Sequence, residues 1–214
     1  MSDIFREVDE EIRKERYASL WKKYGPYVIG AAVALVLGVA GYQGWQQWQR
    51  SQAIEASNAY ADAVAQAEAG NVEPALQQFG EMSDPGASGY GLLAAFREAE
   101  LRAQQGDVEA AVGIWNRIAG SSGTPQPFGD LATIFAVQHR IDDGDPAALA
   151  QRLQPLAEGN GAFRWTAVEL QAFLAREQGD SERAVELYRQ IADASNVPPA
   201  QRQRATQMLA LLEG

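Results

Sequence analysis

One uncharged stretch, residues 24–49, constrains this chain more than any other feature of its sequence. Its apolar part, from Tyr27 to Trp45, has 19 residues, and as a helix it would extend roughly 28 Å at about 1.5 Å per residue. That length matches the hydrocarbon core of a lipid bilayer. We therefore predict one transmembrane helix over residues 24–48, which separates a tail (residues 1–23) from a large domain (residues 49–214).

The basic residues predict the orientation of this helix. All three lysines (Lys14, Lys22 and Lys23) precede it, whereas the twenty residues after Trp45 contain one basic residue, Arg50. An excess of Lys and Arg marks the cytoplasmic side of a membrane. The sequence thus predicts a cytoplasmic tail and an exported C-terminal domain.

A cleaved signal peptide is the competing interpretation, with a small-residue cleavage site ending at Ala40. Six acidic residues precede the apolar run, however, and the run is longer than the 7–15 residues typical of a signal core. Aromatic residues also flank it on both sides, which favours an uncleaved anchor. Pro26 is expected in the first turn of the helix, where a missing N–H costs nothing.

Two short patterns in this region each have two interpretations. Gly30, Ala34 and Gly38 are spaced by four residues, which suits a packing face for a second helix, although small residues are common in membrane helices generally. Apolar residues recur at the same spacing in the tail, from Ile4 to Ile12. They indicate either an amphipathic helix that lies on the membrane or on a cytoplasmic partner, or a solvated helix whose charges only set topology.

Composition excludes several classes of function. Residues 46–214 contain 22 acidic residues, 12 arginines and no lysine, a net charge of −10. This charge repels phosphate backbones, so we expect no nucleic-acid partner. The chain has no cysteine, which excludes disulfides, thiolate zinc sites and thiol nucleophiles.

A fourfold repeat organises the exported part. A Gly followed by Asn or Asp recurs at intervals of 36, 38 and 35 residues, and apolar residues follow it at offsets of 5, 6, 9 and 12, which share one helix face. The glycine is predicted to end one helix in a left-handed conformation, and the next residue to cap the following helix. Small residues seven places earlier would let the two helices touch. The glycines are Gly70, Gly106, Gly144 and Gly179; the residues at offset nine are Phe79, Trp115, Leu153 and Tyr188; the small residues are Ala63, Ala99, Val137 and Ala172.

This unit resembles the tetratricopeptide repeat, a helix–turn–helix of about 34 residues. The resemblance implies an all-α fold, in which a TPR-like α-solenoid of about four helix pairs follows the membrane helix and a C-terminal helix caps it. The chain departs from the family pattern in three ways: its period is loose, most aromatic and Leu positions of the first helices are absent, and unit three has Leu149 and Leu153 where Ala and an aromatic are typical. We therefore expect a degenerate solenoid with imperfect stacking. The predicted pairs cover residues 51–82, 89–119, 128–157 and 162–194, and the capping helix covers 200–213.

A search for chemistry assigns no catalytic, cofactor-binding or metal-binding residue. His139, the one histidine, precedes Asp142, Asp143 and Asp145, which could form a weak metal site. Acids with this spacing lack the alternation and the final Glu of a calcium loop, and a histidine near a helix end is commonly structural. The sequence therefore predicts a protein that is not an enzyme and has no cofactor.

The whole architecture, with the segments 2–13 and 24–28, resembles the ancillary subunit family of the bacterial Sec translocon (YfgM-type). The resemblance implies a single-pass protein of the cell inner membrane with a periplasmic C-terminal domain. Its implied partners are the SecYEG translocon, periplasmic chaperones and exported polypeptides, which it would bind as an adaptor or chaperone-like protein. No individual binding residue is assigned, although exposed residues on the first helix of each pair are the candidates. The alternative is a scaffold for outer-membrane assembly or cell division.

Overall fold

The structure, a computed structural model, describes residues 3–84, 86 and 89–213, with the side chains of residues 3–17, 19 and 28 outside this description. The described residues form helices and connecting turns, without a strand, which confirms the all-α prediction. Two compact units, Met1–Glu55 and Ala56–Gly214, are described separately below. The helices are α1 (Asp3–Glu68), α2 (Val72–Met82), α3 (Gly89–Gln104), α4 (Val108–Gly120), α5 (Gln126–Gln138), α6 (Pro146–Glu158), α7 (Arg164–Glu177), α8 (Ser181–Asp193) and α9 (Pro199–Glu213).

The first unit consists of the N-terminal part of α1. From Leu20 onward, this helix contains a stretch that is long and apolar enough to cross a membrane. Its large side chains project away from the protein, and those of Leu35 and Leu37 are 67% and 66% exposed. An exposed apolar surface of this length is of the size that a bilayer-spanning helix presents.

The start of α1 corrects one expectation. Pro26 lies inside the helix rather than in its first turn, because the helix already begins at Asp3. A proline in a helix interior removes one backbone hydrogen bond. The tail is thus helical, but the apolar face predicted between Ile4 and Ile12 concerns side chains outside the description.

The second unit contains the predicted helix pairs. The last part of α1 precedes α2, then α3 pairs with α4, α5 precedes α6, α7 pairs with α8, and α9 follows. The bounds agree with the predicted pairs to within a few residues, and α1 continues to Glu68. The family resemblance to tetratricopeptide repeats thus predicted the order of the helices.

Buried side chains occur where the repeat places them. The small residues seven places before each glycine are fully buried, and the residues at offset nine are at most 3% exposed. Alanine at such a position lets two helix backbones approach, while the ring or Leu of the next helix fills the space between helices. The buried residues are Ala63, Ala99, Val137 and Ala172, with Phe79, Trp115, Leu153 and Tyr188.

The turns follow the predicted chemistry in three of the four units. Gly70, Gly106 and Gly179 have φ angles of 81°, 85° and 77°, which side chains rarely adopt. Gly144 is the exception, since its φ is not positive and α5 ends six residues before it, at Gln138. Its N–H donates to Arg140 O (2.8 Å), and an added Cβ would lie 2.6 Å from that oxygen, so glycine is needed there for a close backbone approach.

The predicted helix caps show a similar single exception. Asp107, Asp145 and Asp180 each accept a hydrogen bond from a backbone N–H of the helix that they precede, at 3.3, 3.0 and 3.0 Å. Asn71 occupies the same position but makes no such bond, because its side-chain amide donates to Gln66 Oε1 (2.8 Å). The cap prediction is therefore wrong for the first unit.

The core of the second unit is divided into three clusters. Ala63 and Phe79 belong to the N-terminal cluster, Trp115 to the middle one and Leu153 to the C-terminal one. Helices α5 and α6 pack against each other much less extensively than the other consecutive pairs from α2 to α9. Among α2 to α9, packing is therefore weakest between the two helices of unit three, which contains Leu149 and Leu153.

Candidate functional site

A groove of about 620 Å³ lies along the first helices of the last two units. The end of α5, one face of α7 and one face of α9 line it, together with a side chain of α8. We name it the first-helix groove. Its volume is in the range of sites that bind ligands or peptide side chains.

The floor of the first-helix groove is formed by α7. Thr166, Glu169, Leu170, Phe173 and Arg176 follow each other at intervals of three, one, three and three residues, so they share one helix face. On either side of this stripe, α7 carries the fully buried Ala172 and Leu174 of the C-terminal core cluster. One helix thus supplies both the core and an accessible half-buried stripe.

The second wall of the groove belongs to the capping helix α9. Met208 packs against the C-terminal core cluster. Leu211 also lines the groove, but its side chain is 76% exposed. An exposed leucine beside half-buried apolar residues is suited to contact a partner's apolar side chain.

An ion pair joins α7, the floor of the groove, to its wall α9. Glu169 accepts two hydrogen bonds from Arg204, Nε to Oε1 at 2.7 Å and the terminal nitrogen to Oε2 at 2.8 Å. Gln201 Nε2 also donates to Thr166 Oγ1 at 3.2 Å and to Glu169 Oε2 at 3.4 Å. The hydrogen bond with Glu169 raises the pKa of Arg204, which stays charged at every physiological pH. These bonds hold α9 against α7 in one register.

Aromatic side chains stabilise the far end of the groove. The guanidinium of Arg176 lies 4.8 Å from the centroid of the Phe173 ring, a cation–π contact. Burial raises the pKa of the Tyr188 phenol, while the positive charge of Arg176 lowers it and the negative charge of Glu169 raises it. Tyr188 therefore presents a neutral edge to the groove, with one positive charge beside it.

A smaller groove of about 210 Å³ occupies the equivalent place between α1 and α3, within the second unit. Arg97 is the cation at its rim, and it pairs with Glu100 at 3.0 Å. Hydrogen bonding to Tyr60 raises the pKa of Arg97, with a further contribution from Glu100 and an opposing one from burial. First helices at both ends of the repeat array thus carry accessible recesses.

The tetratricopeptide repeat-like domain family matches residues 18–208 of the chain. The chain belongs to this family. No curated protein and no solved structure matches it. The match covers all the helix pairs and most of the capping helix.

Tetratricopeptide repeat-like domains are typically scaffolds for protein–protein interaction, and no enzyme family matches this chain. The grooves suit that role, because apolar floors with charged rims bind segments of other proteins.

His139 has a structural role in this tetratricopeptide repeat-like domain. It caps the C-terminus of α5, its Nδ1 lies 2.9 Å from Phe135 O, and its ring lies 4.5 Å from that of Trp115. Of the nearby acids, Asp143 pairs with Arg140 at 3.1 Å and Asp145 caps α6. Among the described residues, no cluster of three or more His, Cys, Asp or Glu could hold a metal ion.

The sequence predicts the first helices only as candidate binding elements and assigns none of their residues. Glu169 and Phe173 lie on the expected helix, while Arg204 and Leu211 come from α9, which was expected only to cap the array. The exposure of Leu211, a large apolar residue of α9, is the signal that points to this groove. It depends on how α9 is rotated against α7, which helical periodicity alone does not give.

Proposed function

We propose that this protein is an inner-membrane-anchored, periplasmic TPR-like adaptor with chaperone-like binding activity, associated with the Sec translocon. It would bind exported polypeptides or periplasmic folding factors close to the exit of the channel. One observation carries the proposal: a membrane-length apolar helix and a tetratricopeptide repeat-like domain occur in the same chain.

The charge distribution supports the periplasmic placement of the domain. Lys22 and Lys23 directly precede the apolar stretch, which favours a cytoplasmic N-terminus. An anchor of this kind keeps the domain near the membrane and raises its effective concentration for anything that emerges nearby. Binding sites of low affinity then suffice, because the higher effective concentration compensates for a weaker dissociation constant.

The first-helix groove supports binding of a protein segment. Leu170, Phe173 and Leu211 offer apolar contact, and Arg176 offers a positive charge at the rim. The surrounding domain is strongly acidic, which increases the association rate of basic segments more than their affinity. An amphipathic segment matches this combination if its apolar side enters the groove, an acidic residue lies beside Arg176, and its basic residues face the surrounding acidic surface.

Co-purification tests the proposed complex. The full-length tagged protein would be isolated from its native membrane in mild detergent, and retained proteins identified by mass spectrometry. Recovery of Sec channel subunits with periplasmic chaperones is expected. Recovery of an outer-membrane assembly or division complex instead, without Sec subunits, would replace the function by the scaffold alternative.

A truncation lacking residues 1–45 tests the role of the anchor. We expect it to remain helical by circular dichroism and to lose association with the membrane complex. Full association of the truncated domain would show that the anchor has no such role.

A pair of substitutions on α9 tests the first-helix groove. Leu211→Glu places a charge in the groove, whereas Ala210→Glu places the same charge on the exposed neighbour, which does not line it. We expect Leu211→Glu to reduce co-purification of partners about tenfold, since a charge opposes the burial of an apolar contact. Equal recovery with the two variants would exclude the groove as the binding site.

A further inference from the structure

A second groove, of about 700 Å³, lies on another face of the same helices. Its floor is α7, where Val168 and Ala175 are almost fully buried and Gln171 is half-buried. Its walls are α6 and α8, which contribute mostly exposed residues. We name it the amide groove, because of the side chains described next.

All five glutamines between residues 146 and 193 line this groove. They come from three helices, so no single helical periodicity explains why they meet. Each glutamine amide offers two N–H donors and one acceptor oxygen. They are Gln151 and Gln154 of α6, Gln171 and Gln178 near or on α7, and Gln190 of α8.

Two of these amides are fixed, and three are available. Gln171 Nε2 donates to Ala150 O at 3.0 Å, and Gln154 Nε2 donates to Glu158 Oε1 at 2.8 Å. The side chains of Gln151, Gln178 and Gln190 are exposed, and their amides have no hydrogen-bond partner within the part of the chain that the structure describes. The three unpaired side-chain amides therefore surround α7, whose Gln171 amide is already hydrogen-bonded.

The charges that line the amide groove balance. Two arginines, Arg164 and Arg183, face two acids, Glu158 and Asp180, although the chain as a whole has a net charge of −10. The Asp180 carboxylate is engaged as the cap of α8, and Arg164 lies 4.6 Å from the centroid of the Trp165 ring. A neutral site within an acidic domain favours a ligand that is polar but carries no charge.

We propose that the amide groove binds the backbone of an extended polypeptide, independently of its sequence. An extended chain presents unpaired N–H and C=O groups, each of which matches the donors and acceptor of a glutamine amide. The inference rests on the proposed function, because it names exported polypeptides in extended form as the ligand of the domain.

The dimensions of the groove fit this ligand. Lining residues of the floor run from Arg164 to Gln178, fourteen residues apart, which corresponds to about 21 Å of helix at 1.5 Å per residue. At about 3.3 Å per residue, that length accommodates roughly six residues of extended chain. A helical ligand gains little here, because its backbone groups are already paired within the helix.

Binding of an end-blocked, fluorescein-labelled peptide of alternating Thr and Val tests the inference by fluorescence anisotropy. The full-length protein in detergent micelles would be titrated, with empty micelles as the blank. The triple variant Gln151→Ala, Gln178→Ala, Gln190→Ala should bind at least about tenfold more weakly, since each amide contributes a modest net hydrogen bond. The control variant replaces three exposed glutamines outside every groove described, Gln52, Gln126 and Gln203, and should bind like the wild type.

A second peptide, methylated on alternate backbone nitrogens, separates backbone recognition from side-chain recognition. We expect it to lose binding, because methylation removes the donors and keeps the side chains. Equal binding of the two peptides, equal affinity of the triple variant and the wild type, or no binding by the wild type would each overturn the inference. Co-purification of Sec subunits with the triple variant tests the proposed function separately. Failure of the Sec association and failure of backbone binding in the amide groove are therefore distinguishable.

Discussion

Trp115 occupies the offset-nine position of the second unit and carries a buried polar group without a partner. Its side chain is 2% exposed, and its ring centroid lies 5.7 Å from that of Phe135 and 4.5 Å from that of His139. Its indole Nε1–H is buried and has no hydrogen-bond partner among the described residues. We therefore predict that Trp115→Phe is far less destabilising than Trp115→Ala.

The expected magnitudes follow from area and desolvation. Phe buries about 40 Å² less than Trp, a loss of about 1 kcal/mol at roughly 25 cal/mol per Å², with a comparable cost for the cavity. Removing an unpaired buried N–H removes its desolvation penalty, which raises the free energy of unfolding by about 1–3 kcal/mol. The free energy of unfolding of Trp115→Phe should thus lie within about 1 kcal/mol of wild type, whereas Trp115→Ala should lose about 3–5 kcal/mol.

Thermal unfolding of the full-length protein in detergent, followed by circular dichroism, measures both effects. About 2–4 °C per kcal/mol is expected for a domain of this size. Trp115→Ala should therefore lower Tm by about 6–20 °C, and Trp115→Phe should shift it by at most about 4 °C. Phe79→Ala, at the equivalent position of the first unit, sets the scale for losing a ring that has no polar atom. Equal destabilisation by Trp115→Phe and Trp115→Ala would refute the reasoning.

Three further predictions concern the stability of the same domain, each measured by chemical denaturation. Gly106→Ala should cost about 1–2 kcal/mol because its φ is +85°, whereas Gly113→Ala, inside α4 with open space around it, should stabilise by about 0.5–1 kcal/mol; the same sign for both would contradict this. Asp107→Ala should cost about 1 kcal/mol and Asn71→Ala only a few tenths, since only Asp107 caps its helix through its side chain. Burial raises the pKa of Asp130, so its ionised form is disfavoured in the folded state and the penalty is present above the folded pKa. Asp130→Asn should therefore stabilise slightly at neutral pH, and the gain should vanish as the pH falls below about 3.9, where the unfolded carboxyl is also protonated.

The helix order and much of the core were predictable because the repeat constrains them locally. Ala63 and Phe79 occupy offsets that one helix face requires, so periodicity alone assigns them to the interior. A Gly followed by Asp specifies a turn in the same local way, as at Gly106 and Asp107. These features depend on neighbours within about one repeat.

The exceptions arise where a second interaction competes with the local one. Asn71 was expected to cap α2, but its side-chain amide donates a hydrogen bond to Gln66, five residues before it. Gly144 was expected to end α5, but the helix stops at Gln138 and seven residues form the connection, in place of the three residues 105–107 of the second unit. Pro26 was expected at a helix start, because the tail before it gave no sign that it would continue the same helix.

Neither groove could be located from the sequence. The first-helix groove brings Glu169 and Arg204 together across 35 residues, and the amide groove brings Gln151 and Gln190 together across three helices. Such meetings depend on the rotation and offset of whole helices against each other, which the period of the repeat leaves undetermined. The sequence shows how many glutamines the chain has and where they occur, but it does not show that five of them line one groove.

The limited packing between α5 and α6 has a consequence for the cooperativity of the second unit. Ala132 and Ala136 of α5 belong to the middle core cluster, whereas Ile134 and Val137 belong to the C-terminal one. Helix α5 therefore contributes to the cores of two blocks, one formed by α2 to α4 and the other by α6 to α9. In a linear repeat array, a weak neighbour interface lets adjacent blocks unfold at different free energies. Amide hydrogens of α6 to α9 should consequently exchange with solvent as one group and those of α2 to α4 as another. The C-terminal block, with both of its grooves, should then open and reclose while α2 to α4 stay folded.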